Sequence, residues 1–150
     1  MGQSTRGRLR IETDNPWERT FGYARAIRVG GFVAVSGLVA SRPDGSAIGD
    51  TPYEQTAAIL GKLKDVLGKT GAGLSDVVRL RVLYTDTGIA EGFLRALSEA
   101  FPDGAPTLTA VRVAGLVSPE FQLEIEADAI VDAGRTRERD EIPDWDEEAD

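Results

Sequence analysis

An α+β domain, one sheet covered on one face by two helices, is what this 150-residue sequence predicts, and three patterns carry the prediction. Paired glycines sit between two apolar runs near residue 30, as a tight hairpin requires. Two later segments repeat apolar residues at helical spacing, and an alternating strand separates them. Residues 122–129 then alternate Leu123, Ile125, Ala127 and Ala129 against Gln122, Glu124, Glu126 and Asp128, the period of a strand with one polar face. The resulting order of strand, strand, helix, strand, helix, strand, strand suits a single sheet with helices on one side.

In chain order, residues 1 to 15 read as a mobile arm or edge segment. Tyr23 to Val29, Gly30-Gly31 and Phe32 to Ser36 then predict strand, turn and strand, since glycine tolerates the positive φ of tight hairpins. Thr51-Pro52-Tyr53-Glu54 has the form of a capping box with proline at the first helical position. The helix it opens carries Tyr53, Ala57, Leu60, Leu63 and Leu67 as its apolar stripe and ends at Gly71 or Gly73. Asp76 to Thr85 alternates Val78, Leu80, Val82 and Tyr84 against Arg79, Arg81 and Leu83, so a strand follows. A second helix over Gly88 to Phe101 presents Ile89, Phe93, Ala96, Leu97 and Ala100, and Pro102-Asp103-Gly104 breaks the chain after it. Pro106 to Val131 reads as two apolar strands joined by a short connection. Residues 132 to 150 read as an acidic, disordered tail with a lone Trp145.

A chain of this length suits one domain that buries roughly 70% of the surface its unfolded form exposes. Its net charge of −8 is uneven: residues 132–150 hold nine acids against three arginines, or −6, leaving −2 for residues 1–131. No segment supplies the clustered positive charge that phosphate binding uses, which argues against nucleic acid as a partner. No apolar run of about 18 residues is present and no apolar stretch follows the basic N-terminus, so neither a membrane span nor a signal peptide is expected, and a cytoplasmic location is. The sequence has no Cys and no His, which removes disulfides, thiolate and imidazole metal ligands and every His-based triad. No metal site is expected. Gly68-Lys69-Thr70 echoes a phosphate loop but lacks the required glycine at Leu63 and ends a helix instead of opening one.

The uncovered face of the sheet would carry Arg79, Arg81, Glu124 and Glu126 among Val and Leu. Such a mixed face suits burial against another copy of the chain, with the four charges in an ion-pair lattice, and predicts a homo-oligomer.

Several short motifs in order carry a resemblance to a known family: Phe21-Gly22-Tyr23-Ala24-Arg25-Ala26, Val33-Ala34-Val35-Ser36-Gly37, Gly71-Ala72-Gly73-Leu74-Ser75-Asp76-Val77-Val78, Tyr84-Thr85-Asp86 and Leu123-Glu124-Ile125-Glu126-Ala127. On these, residues 16 to 131 resemble the reactive-intermediate deaminases, the Rid or YjgF-type proteins often labelled as ribonucleases. The resemblance implies a chorismate-mutase-like fold with one mixed sheet, a homotrimer around a β-barrel, small-molecule pockets between subunits and no cofactor. Deaminating members hydrolyse enamines and imines to keto acids and ammonia.

Carried over residue by residue, Tyr23 falls at the family's pocket tyrosine, Ser36 at the serine of its Ser-Gly pair and Glu124 at its pocket glutamate. For Tyr23 and Ser36, strand packing and a hydroxyl bonded to backbone are the competing readings. The arginine that binds the substrate carboxylate in the family is here Leu108, and the small or cysteine position after it is Ala110. A guanidinium gives a carboxylate a bidentate partner and leucine gives none. Arg112 points the same way as Leu108 and Ala110 but stands about 13 Å along the strand, so it either enters the pocket at another level or pairs with Glu124 or Glu126. Glu124 is the best candidate for acid or base work, because a partly desolvated carboxylate has a raised pKa. Two readings of function follow: a small imine or enamine is bound and hydrolysed with Glu124 and water, or the pocket has been turned to binding, cyclisation or condensation of a less charged intermediate. A non-catalytic binding protein that docks through its tail is the third.

Overall fold

The computed structural model describes residues 3–5 and 7–133, and the acidic tail from residue 134, Trp145 included, lies outside the described residues. Strands β1 (Gln3–Thr5), β2 (Arg8–Ile11), β3 (Ala26–Val29), β4 (Phe32–Leu38), β5 (Val77–Tyr84), β6 (Thr107–Arg112) and β7 (Leu123–Ile130) form one sheet in the order β1-β2-β3-β4-β7-β5-β6. Only β5 and β6 run parallel, which makes the sheet mixed. Their crossover is the helix α3 (Ala90–Ala100), as a parallel pair requires. Helix α2 (Pro52–Thr70) joins β4 to β5 and packs on α3.

The core lies between the helices and one face of the sheet. Ile59, Leu63 and Leu67 of α2 and Phe93 and Leu97 of α3 are buried with Val33, Leu80, Val82, Leu123 and Ile125. β7 keeps the expected alternation, with Leu123, Ile125, Ala127 and Ala129 fully buried. The α2 capping box is present: Thr51 Oγ1 accepts from Glu54 N (3.2 Å) and Glu54 Oε2 accepts from Thr51 N (3.2 Å). Gly71 ends the helix at φ 84°, a left-handed position that glycine takes without a Cβ penalty. Thr51→Ala should therefore lower the unfolding free energy by about 1 kcal/mol, read as a lower urea midpoint at unchanged slope.

Several expectations need correction. Residues 1–15 are not all a free arm: Gln3–Thr5 is the edge strand, and Arg8–Ile11 pairs with it and with β3, with Ile11 buried. An additional short helix α1 (Pro16–Phe21) follows, too brief to show a helical period. The first hairpin strand begins at Ala26, not Tyr23. In α2, Ala57 is exposed while Ile59 and Val66 are buried, because the helix meets both sheet and α3 through a broader face than one stripe. A register shift between Val77 and Arg79 puts Val77 in the core and leaves Val78 half-buried, since a bulge reverses the alternation on one side of it. The two last strands form as expected, and the sheet order sets them apart. β5 lies between them, and β6 is an edge strand exposed along its whole length.

On the uncovered face the charge lattice forms within one chain: Arg81 lies 3.0 Å from Glu126 and 3.7 Å from Asp128, and Arg79 lies 3.7 Å from Asp128. These pairs are solvated and contribute little singly. Glu124 stands apart from the lattice.

Candidate functional site

The site is built around a buried ion pair. Asn15 caps α1 by accepting from Trp17 N (2.9 Å), and this short helix delivers Glu18 inward. Glu18 accepts from Thr13 N (2.8 Å) and from the Thr13 hydroxyl, and lies 3.4 Å from Arg25 Nε. Both side chains of the pair are 3% exposed. Arg25 Nη1 donates to Gly37 O (2.6 Å) and Ser36 O (3.3 Å), and Nη2 donates to Tyr23 Oη (3.4 Å). One guanidinium thus ties α1, the segment leading into β3 and the irregular part of β4 together.

That irregularity holds the second component. The β4–β7 register shifts between Val35 and Leu38, so Ser36 and Gly37 leave the regular ladder. The Glu124 carboxylate lies over Gly37: a Cβ built there would overlap Glu124 Oε1 and stand 2.8 Å from its Cδ. Burial pushes the Glu124 carboxyl above its ordinary range; the Arg25 charge pulls it back, and Glu126 adds a smaller upward push. Gly37→Ala should displace the carboxylate while leaving the core intact. The expected result is a changed Glu124 titration, read by carboxyl NMR, with little change in thermal midpoint.

A cleft of about 480 Å³ opens beside these groups. Tyr23, Arg25, Gly37, Lys62 and Glu124 form its polar side, and Trp17, Phe21, Val66 and Val117 its apolar side. Lys62 on α2 donates to Val39 O (3.0 Å) and Ser41 Oγ (3.1 Å); burial lowers its pKa, and the Arg25 charge lowers it further. Among the described residues no three His, Cys, Asp or Glu side chains group as metal ligands do, and no helix is long and apolar enough to cross a membrane.

A family model described as endoribonuclease L-PSP, the YjgF/RidA family, matches residues 14–131. The chain belongs to this family. As a YjgF-type chain it is 31% identical over 120 residues to the uncharacterized protein SCO2049 of Streptomyces coelicolor, covering 80% of this chain and 90% of that one. It is 30% identical over 106 residues to mmf2 of Schizosaccharomyces pombe, named a mitochondrial protein, covering 69% and 83%. Among solved structures it is similar to Rv2704 of Mycobacterium tuberculosis, described as a member of the YjgF/YER057c/UK114 family, at 35% identity and a TM-score of 0.75 over 83% of this chain and 99% of that chain. The α+β fold with its mixed sheet is the fold of these YjgF-type, chorismate-mutase-like neighbours.

Of the residues singled out in the sequence, Tyr23 and Glu124 line the same cleft. Ser36 donates its hydroxyl to Ala24 O (2.7 Å) and lines, with Tyr23, a separate hollow that also holds Arg81, Glu126 and Asp128. Leu108, Ala110 and Arg112 lie on the edge strand β6, separated from β7 by β5, and line neither hollow. Arg112 does not pair with Glu124 or Glu126: its Nε donates to Thr85 O (3.3 Å), and Glu126 is held by Arg81. Sequence reasoning did not single out the Glu18–Arg25 pair or Lys62. Nothing periodic links Glu18 to Arg25. Lys62 left a signal, since it stands three residues after Ile59 and four before Val66, on the margin of the buried stripe.

Proposed function

We propose that this YjgF-type chain binds a small imine or enamine intermediate in the Glu124 cleft and hydrolyses it with water. The observation that carries the reading is a half-buried carboxylate of raised pKa, set over Gly37 beside Tyr23 in a cleft with an apolar wall. Glu124 accepts a proton as water adds across the C=N bond, and returns it to the amino group of the tetrahedral adduct. The adduct's hydroxyl then gives up its proton, which passes by way of Glu124 to the nitrogen as the C–N bond breaks, releasing ammonia and the carbonyl compound. A carboxylate whose pKa is raised above its ordinary value holds a proton more readily and so serves both directions better than an unperturbed one. The step needs no cofactor.

The name of the family model speaks of RNA cleavage, but residues 1–131 carry a net −2 and no basic stripe, which favours a small molecule over a polyphosphate. A homotrimer belongs to the same proposal. The bare edge of β6, and Val29, Phe32 and Ile130 near half exposure on the uncovered face, suit burial against further copies. In such an assembly Leu108, Ala110 and Arg112 of one copy would approach the cleft of another.

The test is a coupled assay in which an amino-acid oxidase generates imino acids of varied side chain, with keto-acid release followed for the wild type, Glu124→Gln and Leu108→Arg. Acceleration by wild type that is lost in Glu124→Gln supports hydrolysis. No acceleration by wild type, with activity gained by Leu108→Arg, supports the second reading, a pocket turned to binding or converting another intermediate. The exposed, apolar Leu108 on β6 is the observation that favours it.

A further inference from the structure

The Glu18–Arg25 pair joins the cleft to a residue outside it. Glu18, supplied by α1, does not line the cleft, and its carboxylate accepts from Thr13 N (2.8 Å) and the Thr13 hydroxyl. Arg25 does line it, 3.4 Å from Glu18 through Nε and bonded through Nη1 to Gly37 O (2.6 Å) and Ser36 O (3.3 Å). Those carbonyls belong to the two residues that leave the β4–β7 ladder, and the Glu124 carboxylate lies over the second of them. Gly37 alone therefore stands between the guanidinium and the carboxylate. Because both charges of a buried pair lose their water, such a pair adds less to stability than its contacts suggest. The placement of its cation sets this pair apart, since a charge shielded from water acts on its neighbours with little screening. The other charged and titratable groups around Glu124 have partners or water. Glu126, next along the same face of β7, is held by Arg81 of β5; Lys62 of α2 donates to Val39 O and Ser41 Oγ; Tyr23 accepts from Arg25. Asp14, Arg42, Asp65 and Lys69 border the cleft and are exposed, where solvent screens them.

We infer that the Glu18–Arg25 pair is the positioning device of this site: Arg25 holds the Ser36–Gly37 irregularity under Glu124 and presents a positive charge there, and Glu18 sets how much of that charge Glu124 feels. Both are positioning residues that act through Glu124. The two charges of the pair then have opposite effects on it. Without the Arg25 charge the carboxylate form loses an attraction, and Glu124 holds its proton to higher pH. Without the Glu18 charge the guanidinium is no longer offset, and Glu124 gives up its proton at lower pH. The downward pull of Arg25 on Glu124, set against the larger upward push of burial, has this sign. A pair that only fastened α1 to the sheet would weaken the fold in both variants and would not move Glu124 in opposite directions. The inference rests on the proposed reading of the cleft for the effect on rate, but not for the titration of Glu124.

The experiment follows the Glu124 side-chain carboxyl carbon by NMR through a pH titration of the full chain, with Glu124→Gln assigning the resonance. Relative to wild type, Glu18→Gln should shift the Glu124 midpoint down and Arg25→Met should shift it up. Arg25→Lys keeps the charge but not the planar fork, so its midpoint should lie nearer to wild type than that of Arg25→Met. Should Arg25→Met fail to fold, the double variant Glu18→Gln with Arg25→Met leaves no charge unpaired and keeps the test. Its midpoint should also lie above wild type, because Arg25 is the nearer of the two charges. A midpoint unchanged in Glu18→Gln overturns the inference, as does a shift in the same direction in Glu18→Gln and the double variant. In the imine-hydrolysis assay the limb of the rate profile set by Glu124 should move with each midpoint. A profile that stays in place while the midpoints move overturns the positioning role. Midpoints that move as expected with no hydrolysis by wild type would sink the proposed reaction alone.

Discussion

Glu124→Gln is expected to lower keto-acid release by about 10²- to 10⁴-fold, the contribution of a positioned acid or base, while the chain stays folded. Gln has the same shape over Gly37 and cannot take the proton. Two pH effects separate this role from a packing role. The limb of the wild-type rate profile set by Glu124 should lie above the ordinary glutamate value of 4.5 and vanish in the variant. Stability should respond in the opposite sense to a salt-bridged acid. Burial favours the protonated form, so the native chain holds its proton to higher pH than the unfolded chain does. The wild type is therefore at its best below the ordinary value and loses stability as pH rises through the raised one, and Glu124→Gln is spared that loss. Urea melts of both proteins across the window check the sign; a wild type that gains on the variant as pH rises would contradict it.

Arg25→Met should cost about 3–5 kcal/mol of unfolding free energy, the range for breaking a buried ion pair by removing one partner. The side chain is 3% exposed, and its loss strands Glu18 with only its Thr13 donors and leaves the Ser36 and Gly37 carbonyls without their guanidinium. That is a large share of a stability on the order of 5–15 kcal/mol. Glu18→Gln tests the same pair from the other end. In a double-mutant cycle the combined variant should lose much less than the sum of the two single losses, because the second substitution removes a charge already unpaired. Additive losses would mean that the two side chains act independently.

Much of the architecture was legible because it depends on neighbours in the chain. The Gly30-Gly31 turn, the Thr51–Glu54 capping box, the Gly71 stop and the alternation of Leu123 to Ala129 are local patterns, and each appears where it was expected. Local reasoning failed where geometry is settled across the sheet. The bulge that exchanges Val77 for Val78 in the core arises from pairing with β7, some fifty residues away. The ten residues between Arg112 and Leu123 read as a short connection, and nothing in them announces that they carry the chain past β5.

The candidate site divides in the same way. Tyr23 and Glu124 were found through the resemblance of short motifs and share one cleft; Ser36, found by the same route, turns its hydroxyl to the Ala24 carbonyl. Glu18, Arg25 and Lys62 belong to three separate elements, and no spacing in the chain announces that they converge.

By itself the sequence determined the fold class, the helix ends, the apolar face of the last strand and the absence of His and Cys chemistry. These follow from the backbone preferences and burial of residues a few positions apart. Only the tertiary structure decided that Arg25 is matched by Glu18, and that Glu124 stands over Gly37 away from the Arg81 lattice. Charge balance and desolvation depend on which distant groups share a cavity, and that is fixed when the sheet closes on its helices.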